Sequence, residues 1–326
     1  MNYIVFDLEW HQCPYGKDQE NERIPFEILE IGAVKLNENR EMTDQYHVLI
    51  QPRVYRKLHH RTKEIIRLDM KELEQGVPFY KAVRQFLSWC GQDCRFCTWG
   101  NSDLTELQRN MKYYGILQLL AGPVIFCDVQ KLFSLDKEDG ESRKSLEYAV
   151  DALGLEKQRD FHRALSDAWY TARIFAAIDP EIADTFTSID CFQNPRGKKD
   201  EIHVIYPGYE KHISREFDTR EEILEDREIA ASRCFLCGKN MRKKIRWFAS
   251  GGKNYYCLAR CPRHGWLKGK IRVKRTDQGK FFAVKTMKLV EEEEAQQVRD
   301  RKEELKKKRR EKRRQERKRE KERAGR

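Results

Sequence analysis

The chain has 326 residues, 36% charged and 39% hydrophobic, with Lys and Arg outnumbering Asp and Glu by 65 to 53. That length admits one large domain or two to three smaller ones, and the apolar fraction supports a core if part of the chain stays outside it. No apolar run approaches the ~18–20 residues of a membrane span. Ile4-Val5-Phe6 also meets an acid too soon for a secretory leader, so a cytoplasmic protein is expected.

In chain order, residues 2–9 read as a buried strand that runs directly into Asp7 and Glu9. Glu27 to Leu36 (EILEIGAVKL) and Gln45 to Ile50 read as further strands, with Asn37-Glu38-Asn39 turning between them. A helix is expected over Phe79 to Trp89, a short strand over Arg95 to Trp99, and a helix from about Asp103 to Tyr114. Val124 to Val129 is a strand or helix lead-in, and helices cover 144–153 and 164–178. Strands followed by alternating helices and strands predict an α/β layer domain over 1–180. It is mildly acidic, with a net charge of −4.

Residues 181–232 read as a connector of net charge −6, with a possible strand at Glu201 to Tyr206. A charged helix over Thr219 to Ala231 would be opened by Asp218 or Thr219. Residues 233–290 hold 17 cations against the single acid Asp277, the footprint of a polyanionic partner. From about Glu291 to 326 the sequence is nearly all Glu, Lys, Arg and Gln. Lacking an apolar stripe, it is expected to be a solvated helix held by i,i+4 ion pairs, or disordered.

Alternation along a strand puts Asp7 and Glu9 on one face. Two converging carboxylates repel unless a divalent cation neutralises them, and oxygen-only ligands suit Mg²⁺ or Mn²⁺. The bland alternative is a solvated strand end. Asp103, at the start of a strand-loop-helix, reads on its own as an N-cap or first-turn acid rather than a ligand. Asp167 opens a helix, and His162 lies five residues earlier on its lead-in loop.

Together, Asp7-x-Glu9, TWGNSDLTEL around Asp103, and HRALSDAWYTARI with His162 and Asp167 resemble the signature of the DEDDh 3′-to-5′ exonucleases. This family includes the proofreading subunit of bacterial replicases, ribonuclease T and oligoribonuclease. The tryptophan-glycine lead into Asp103 looks most like the ERI-like and KapD-like branch, and EILEIGAVKL looks like the family's second strand. The resemblance covers about residues 1–180. It implies an RNase H-like mixed sheet flanked by helices and hydrolysis at a 3′ end assisted by two metal ions, with nucleoside 5′-monophosphate as product. In that scheme Asp7 bridges both ions, Glu9 and Asp167 complete the first, and Asp103 holds the second. His162, a side chain able to exchange a proton near neutral pH, is the general base. Trp10 departs from the smaller residue usual in that branch. Trp10 and Trp99 are candidate stacking partners for a terminal base, whereas Phe6 is better read as core. Cys94-x-x-Cys97 lies in a predicted strand, where i and i+3 face opposite sides, so a core reading is preferred to a redox pair. Glu30 could face the site or solvent, and Asp128 could cap a helix.

Ten cysteines without a framework of small loops suit a reducing compartment. Cys234-x-x-Cys237-Gly238 and Cys261-x-x-His264-Gly265 each set two ligands three apart before a glycine able to take positive φ. The pair resembles a zinc ribbon, with Cys234, Cys237, Cys261 and His264 as ligands of a structural Zn²⁺ and Cys257 as a rival for the second half. Unpaired core cysteines are the alternative. Cations and aromatics interleave around it, at Arg246-Trp247-Phe248, Tyr255-Tyr256 and Trp266-Leu267-Lys268. That pattern fits a clamp on single-stranded nucleic acid, with some rings reserved for the core. Single-stranded RNA with a free 3′ end is preferred as partner to DNA. The rival functions are a DNA proofreading or repair exonuclease and a binding protein with a non-catalytic scaffold. A third option gives the ribbon and tail a docking role.

Overall fold

The strand that leads into the paired carboxylates forms over Asn2–Gln12 (β1) in a computed structural model that describes residues 1–66 and 68–324. The chain divides into two units, 1–193 and 194–326. In the first, β1 is followed by Phe26–Leu36 (β2) and Met42–Leu49 (β3), then by helices His60–Ile66 (α1), Met70–Glu74 (α2) and Phe79–Cys90 (α3). Next come Cys94–Thr98 (β4), Ser102–Tyr113 (α4), Val124–Asp128 (β5), Val129–Lys137 (α5), Leu146–Ala152 (α6), Ala164–Ala177 (α7), Pro180–Thr185 (α8) and Ser188–Asp190 (β6).

These strands form one mixed sheet in the order β3-β2-β1-β4-β5-β6. β1 runs antiparallel to β2 and parallel to β4, and β4 is parallel to β5. Alternation along β1 sorts its side chains between two cores. Ile4, Phe6 and Leu8 pack with α3 and α4, while Tyr3 and Val5 pack with α5, α7 and α8. Asp7 and Glu9 continue the Tyr3–Val5 face, across which α7 lies. Cys94 packs in the first core and Cys97 in the second, as opposite-facing strand positions should. Asp128 caps α5 by accepting the backbone N–H of Lys131 at 2.9 Å.

The second unit contains Ile202–Tyr206 (β7), Tyr209–Phe217 (β8), Arg220–Glu225 (α9), Arg227–Ala230 (α10), Arg242–Ala249 (β9), Asn254–Cys261 (β10), Gly265–Arg275 (β11), Phe281–Val290 (β12) and Glu292–Ala324 (α11). Its sheet, ordered β7-β8-β12-β11-β10-β9, is antiparallel throughout. Residues 181–232, expected as a connector, therefore separate. α8 and β6 stay with the first sheet, and β7 and β8 extend the cysteine-bearing one through the β8–β12 pairing. The expected helix over Thr219 to Ala231 breaks at Asp226, whose carboxylate accepts the N–H groups of Glu228 and Ile229 and so caps α10.

α9 and α10 cover one face of this sheet, with Ile223 and Ile229 against Ile271, Val273 and Ala283. α11 covers the other, with Ala295 and Val298 against Ile245 and Leu258. The tail is thus helical, as one of its two expectations had it, but its root does bury apolar surface. Ion pairs such as Lys308–Glu304 and Lys312–Glu316 punctuate its remainder at i,i+4 spacing. Among the described residues, no helix is long and apolar enough to cross a membrane.

Candidate active site and metal centre

The fold brings Asp7, Glu9 and Asp167 together, with one carboxylate oxygen from each within 4.8 Å of the others. Three local features make this possible. Asp7 and Glu9 share one face of β1. Asp167 lies in the first turn of α7. Gly32 of β2, paired in register with Asp7, is the floor on which α7 rests. A Cβ at Gly32 would fall on the backbone of Ala164 and Leu165, so only glycine permits this approach. That requirement hides in EILEIGAVKL, where a lone glycine interrupts a strand.

Asp103, in the first turn of α4 and only 5% exposed, accepts the backbone N–H of Leu8 at 3.2 Å. It stands beside the triad without joining its tight cluster. Burial raises the pKa of all four acids, and their mutual repulsion adds to it. Asp7 is held well above the usual carboxylate range by burial and by Asp103, Glu9 and Asp167. Glu9 rises to about 8 through burial and the charges of Asp167, Glu30 and Asp103, with Arg163 opposing. Asp103 and Asp167 each rise to about 7, chiefly through burial. Among the described residues, Oδ1 of Asp167 is buried with no hydrogen-bond partner. Crowded, desolvated acids with an orphaned oxygen are the donor set that hard divalent cations such as Mg²⁺ or Mn²⁺ satisfy.

Glu30 faces this site as a supporting acid. It is fully buried, directly opposite Glu9, and bonded to His47 Nε2 at 2.7 Å and to the Arg163 guanidinium at 3.2 and 3.3 Å. Burial would raise its pKa, but these two partners outweigh it and hold the carboxyl below its ordinary value. Glu30 is thereby committed to fixing the loop that carries His162. His47 lies outside every motif and Arg163 lies inside HRALSDAWYTARI without being a signature position, so sequence reasoning gave neither a role.

His162 adopts φ 65°, the left-handed region, and its backbone N–H donates to Asp167 Oδ2 at 3.2 Å. Its imidazole is 56% exposed, with Nε2 3.8 Å from Glu147. Main chain and side chain thus divide the work, one anchoring Asp167 and the other remaining open to solvent. Of the two tryptophans expected to stack on a base, Trp10 sits just after a bulge in β1, half-buried against the first core and tilted on Phe26. Trp99 packs in the second core beside Phe133 and donates to the Lys144 carbonyl at 3.3 Å. Its packing makes Trp99 a strut for the loop before α6.

The second unit gathers Cys234, Cys237, Cys261 and His264, whose ligand atoms lie within 4.8 Å of one another. Cys237 and Cys261 sulfurs are 3.7 Å apart, and His264 Nδ1 is 3.3 Å from the Cys234 sulfur and 3.6 Å from that of Cys261. Tetrahedral Zn²⁺ with bonds of about 2.3 Å to sulfur and 2.0 Å to nitrogen needs ligand separations of about 3.5–3.8 Å, so the four atoms fit. Gly238 and Gly265 take φ 68° and 82°, as the tight turns require. The Cys261 thiol, raised by burial but lowered further by the N–H groups of Arg263 and His264 and the neighbouring thiols, falls to about 6. Cys257 lies elsewhere, fully buried under Gly269 and 4.0 Å from the Ser232 hydroxyl. The four-atom group contains Cys261 and His264 and not Cys257.

The first unit thus brings Asp7, Glu9 and Asp167 together with Asp103 alongside, an all-oxygen donor set that divalent cations can occupy. Residues 4–175 match the family model RNase_T, described as Exonuclease, and the chain belongs to this exonuclease family. Among curated proteins, it is 23% identical over 181 residues to "Probable 3'-5' exonuclease KapD" of Bacillus subtilis (strain 168), covering 55% of this chain and 84% of that one. Among solved structures, the nuclease domain of 3′hExo, a DEDDh family member bound to rAMP, is 17% identical, with 58% of this chain and 96% of that chain covered at a TM-score of 0.47. S. pombe Pop2p in its Mg²⁺- and Mn²⁺-bound form is 18% identical, covering 54% and 81% at a TM-score of 0.41.

Proposed function

We propose that the chain removes nucleotides from the 3′ end of single-stranded nucleic acid, RNA ahead of DNA, releasing nucleoside 5′-monophosphates with the help of two divalent cations. The observation that carries the reading is the convergence of Asp7, Glu9 and Asp167, with Asp103 alongside, inside an exonuclease-family domain. The direction is supported by the name of the relative from Bacillus subtilis. The preference for RNA rests on the likeness of TWGNSDLTEL to the ERI-like branch. A reducing, cytoplasmic setting suits the ten cysteines, four of which are candidates for or rivals within one metal site.

Hydrolysis joins a water oxygen to the terminal phosphorus and releases the 3′ oxygen of the preceding nucleotide. Divalent cations held by Asp7, Glu9, Asp103 and Asp167 would neutralise phosphate charge and make the water a better nucleophile. Asp7, flanked by the charges of Asp103, Glu9 and Asp167, would help hold the cations. The exposed imidazole of His162 takes the proton from the attacking water. Glu147, 3.8 Å away, is placed to favour the resulting imidazolium. Arg163, bound to Glu30, holds the loop in place. The second unit, stiffened by Zn²⁺, contributes a cationic surface for the strand.

The deciding experiment follows 5′-labelled single-stranded RNA and DNA of matched sequence with Mg²⁺ or Mn²⁺, beside Asp7→Ala. A ladder shortening from the 3′ end and absent in the variant is expected, with RNA the faster substrate. Oligomers that bind yet stay intact would reduce the first unit to a scaffold.

A further inference from the structure

The aromatics that interleave with cations around the cysteine module do not all remain open. Arg299 lies over Trp266 at 4.7 Å and Arg301 over Tyr256 at 4.9 Å. Trp266 also donates to Glu292, and Lys268 pairs with Glu294 at 3.0 Å. The root of α11 thus occupies two of the rings that the sequence offers for stacking. Farther along, α11 leaves a groove of about 300 Å³ against the end of β9, floored by Phe248, Ala249 and Leu305. Its walls are Lys302, Lys306, Arg309, Arg310 and Arg313, with no acid among the lining residues.

Successive steps of 100° place 302, 306, 309, 310 and 313 on a single face of the helix. Lys306 reaches Glu303 at 3.6 Å, both partly exposed, a contact worth little. The other four make no ion pair among the described residues. Five closely spaced cations repel one another; salt screens that repulsion, and a polyanion relieves it while releasing the counterions. Phe248, tilted on Tyr256 and half-buried, presents an apolar ring beside the charges. Phosphates beside an unsatisfied cation row with an aromatic platform between them are the pattern of a single strand with unstacked bases.

We propose that this groove between α11 and Phe248 is a binding site for single-stranded nucleic acid, with the cation stripe on the backbone phosphates and Phe248 against a base. The inference deepens the proposed function, on whose nucleic-acid substrate it rests, and gives the charged tail a direct role.

The test uses the full chain with Asp7→Asn to stop turnover and a fluorescent single-stranded RNA, titrated over a range of salt concentrations. Replacing Lys306, Arg309 and Arg313 by Gln is expected to make the slope of log affinity against log salt shallower by about 2, at about 0.7 per phosphate on a single strand. These exposed positions leave folding intact. Phe248→Leu, which keeps an apolar side chain in the floor, should weaken binding about 5- to 100-fold. Unchanged slope and affinity in both variants would overturn the site. So would displacement of the RNA by phosphatidylserine vesicles combined with indifference to Phe248→Leu, which would make the stripe a membrane-surface contact. Turnover of the same RNA is measured in parallel on the chain with Asp7 intact. Binding without cleavage there would remove the hydrolytic reading and leave the groove standing, and cleavage with groove-independent binding would do the reverse.

Discussion

Asp103 accepts the backbone N–H of Leu8 at 3.2 Å, so one candidate ligand clasps the residue that separates the two others on β1. The bond gives Asp103 a structural task besides any role in holding metal. Asp103→Asn keeps the acceptor and is expected to fold as well as the parent while losing at least ~100-fold in turnover, equivalent to about 3 kcal/mol. Asp103→Ala strands the N–H in the interior and should be less stable than the Asn variant by about 1–3 kcal/mol. Denaturant midpoints of the two variants, compared without added Mg²⁺, test the bond directly.

The four raised acids predict how stability follows pH. Each has a folded pKa above its unfolded value, with Glu9 at about 8 and Asp103 and Asp167 at about 7. Such groups favour the fold below the unfolded carboxylate range, near pH 4, and that contribution is lost as pH climbs through 7 to 8. The first unit without Mg²⁺ should therefore melt lower at pH 8 than at pH 5.5, by about 2–4 °C for each kcal/mol of repulsion. Added Mg²⁺ should restore the pH 8 value. Melting that is indifferent to both variables would contradict the repulsive cluster.

Gly32 offers a steric prediction at a distance from chemistry. Gly32→Ala drives a methyl into the backbone at Ala164 and Leu165, lifting α7 and withdrawing Asp167 from Asp7. A loss of about 3 kcal/mol or more in stability is expected. Mn²⁺ affinity, read by isothermal titration, should weaken with it. Wild-type affinity and stability would show that α7 can shift without harm.

Zinc content should separate the two rival cysteines. Cys257→Ala should retain one Zn²⁺ per chain, because its sulfur lies outside the four-atom set. Cys261→Ser should lose the metal and the protection of β10 and β11 from hydrogen exchange. Elemental analysis of the purified variants is sufficient, and zinc lost from the Cys257 variant alone would reverse the assignment.

For His162, the exposed imidazole and the anchored N–H make separable predictions. His162→Ala should abolish most turnover yet leave metal affinity largely intact, since the backbone bond to Asp167 survives the substitution. An undiminished rate would rule out the general base.

Much of the first unit was legible because its elements carry periodic apolar faces long enough to read, and because Asp7, Glu9, Asp103, His162 and Asp167 sit in recognisable segments. The helices observed at Ser102–Tyr113 and Ala164–Ala177 lie within a residue or so of expectation. What stayed hidden depends on pairing between distant segments. Glu30 could not be assigned to the site or to solvent from its own strand, because His47 on β3 and Arg163 before α7 are what close on it. β8 was missed although Pro207-Gly208 marks its turn, because its charged sequence resembles a solvated loop and only β12 gives it a partner. Ala295 and Val298 were too few to form a visible stripe, yet two small apolar residues one turn apart suffice to seat the root of a helix.

The backbone of His162 sets folding and chemistry against each other. A residue with a Cβ sits in the left-handed region at a cost of roughly 1 kcal/mol, which glycine avoids and asparagine reduces. Random substitution under selection for foldability alone would therefore tend to erase the imidazole from this loop. At φ 65° the fold holds the proposed general base at a conformational cost, so one and the same substitution, His162→Gly, would gain stability as it lost turnover.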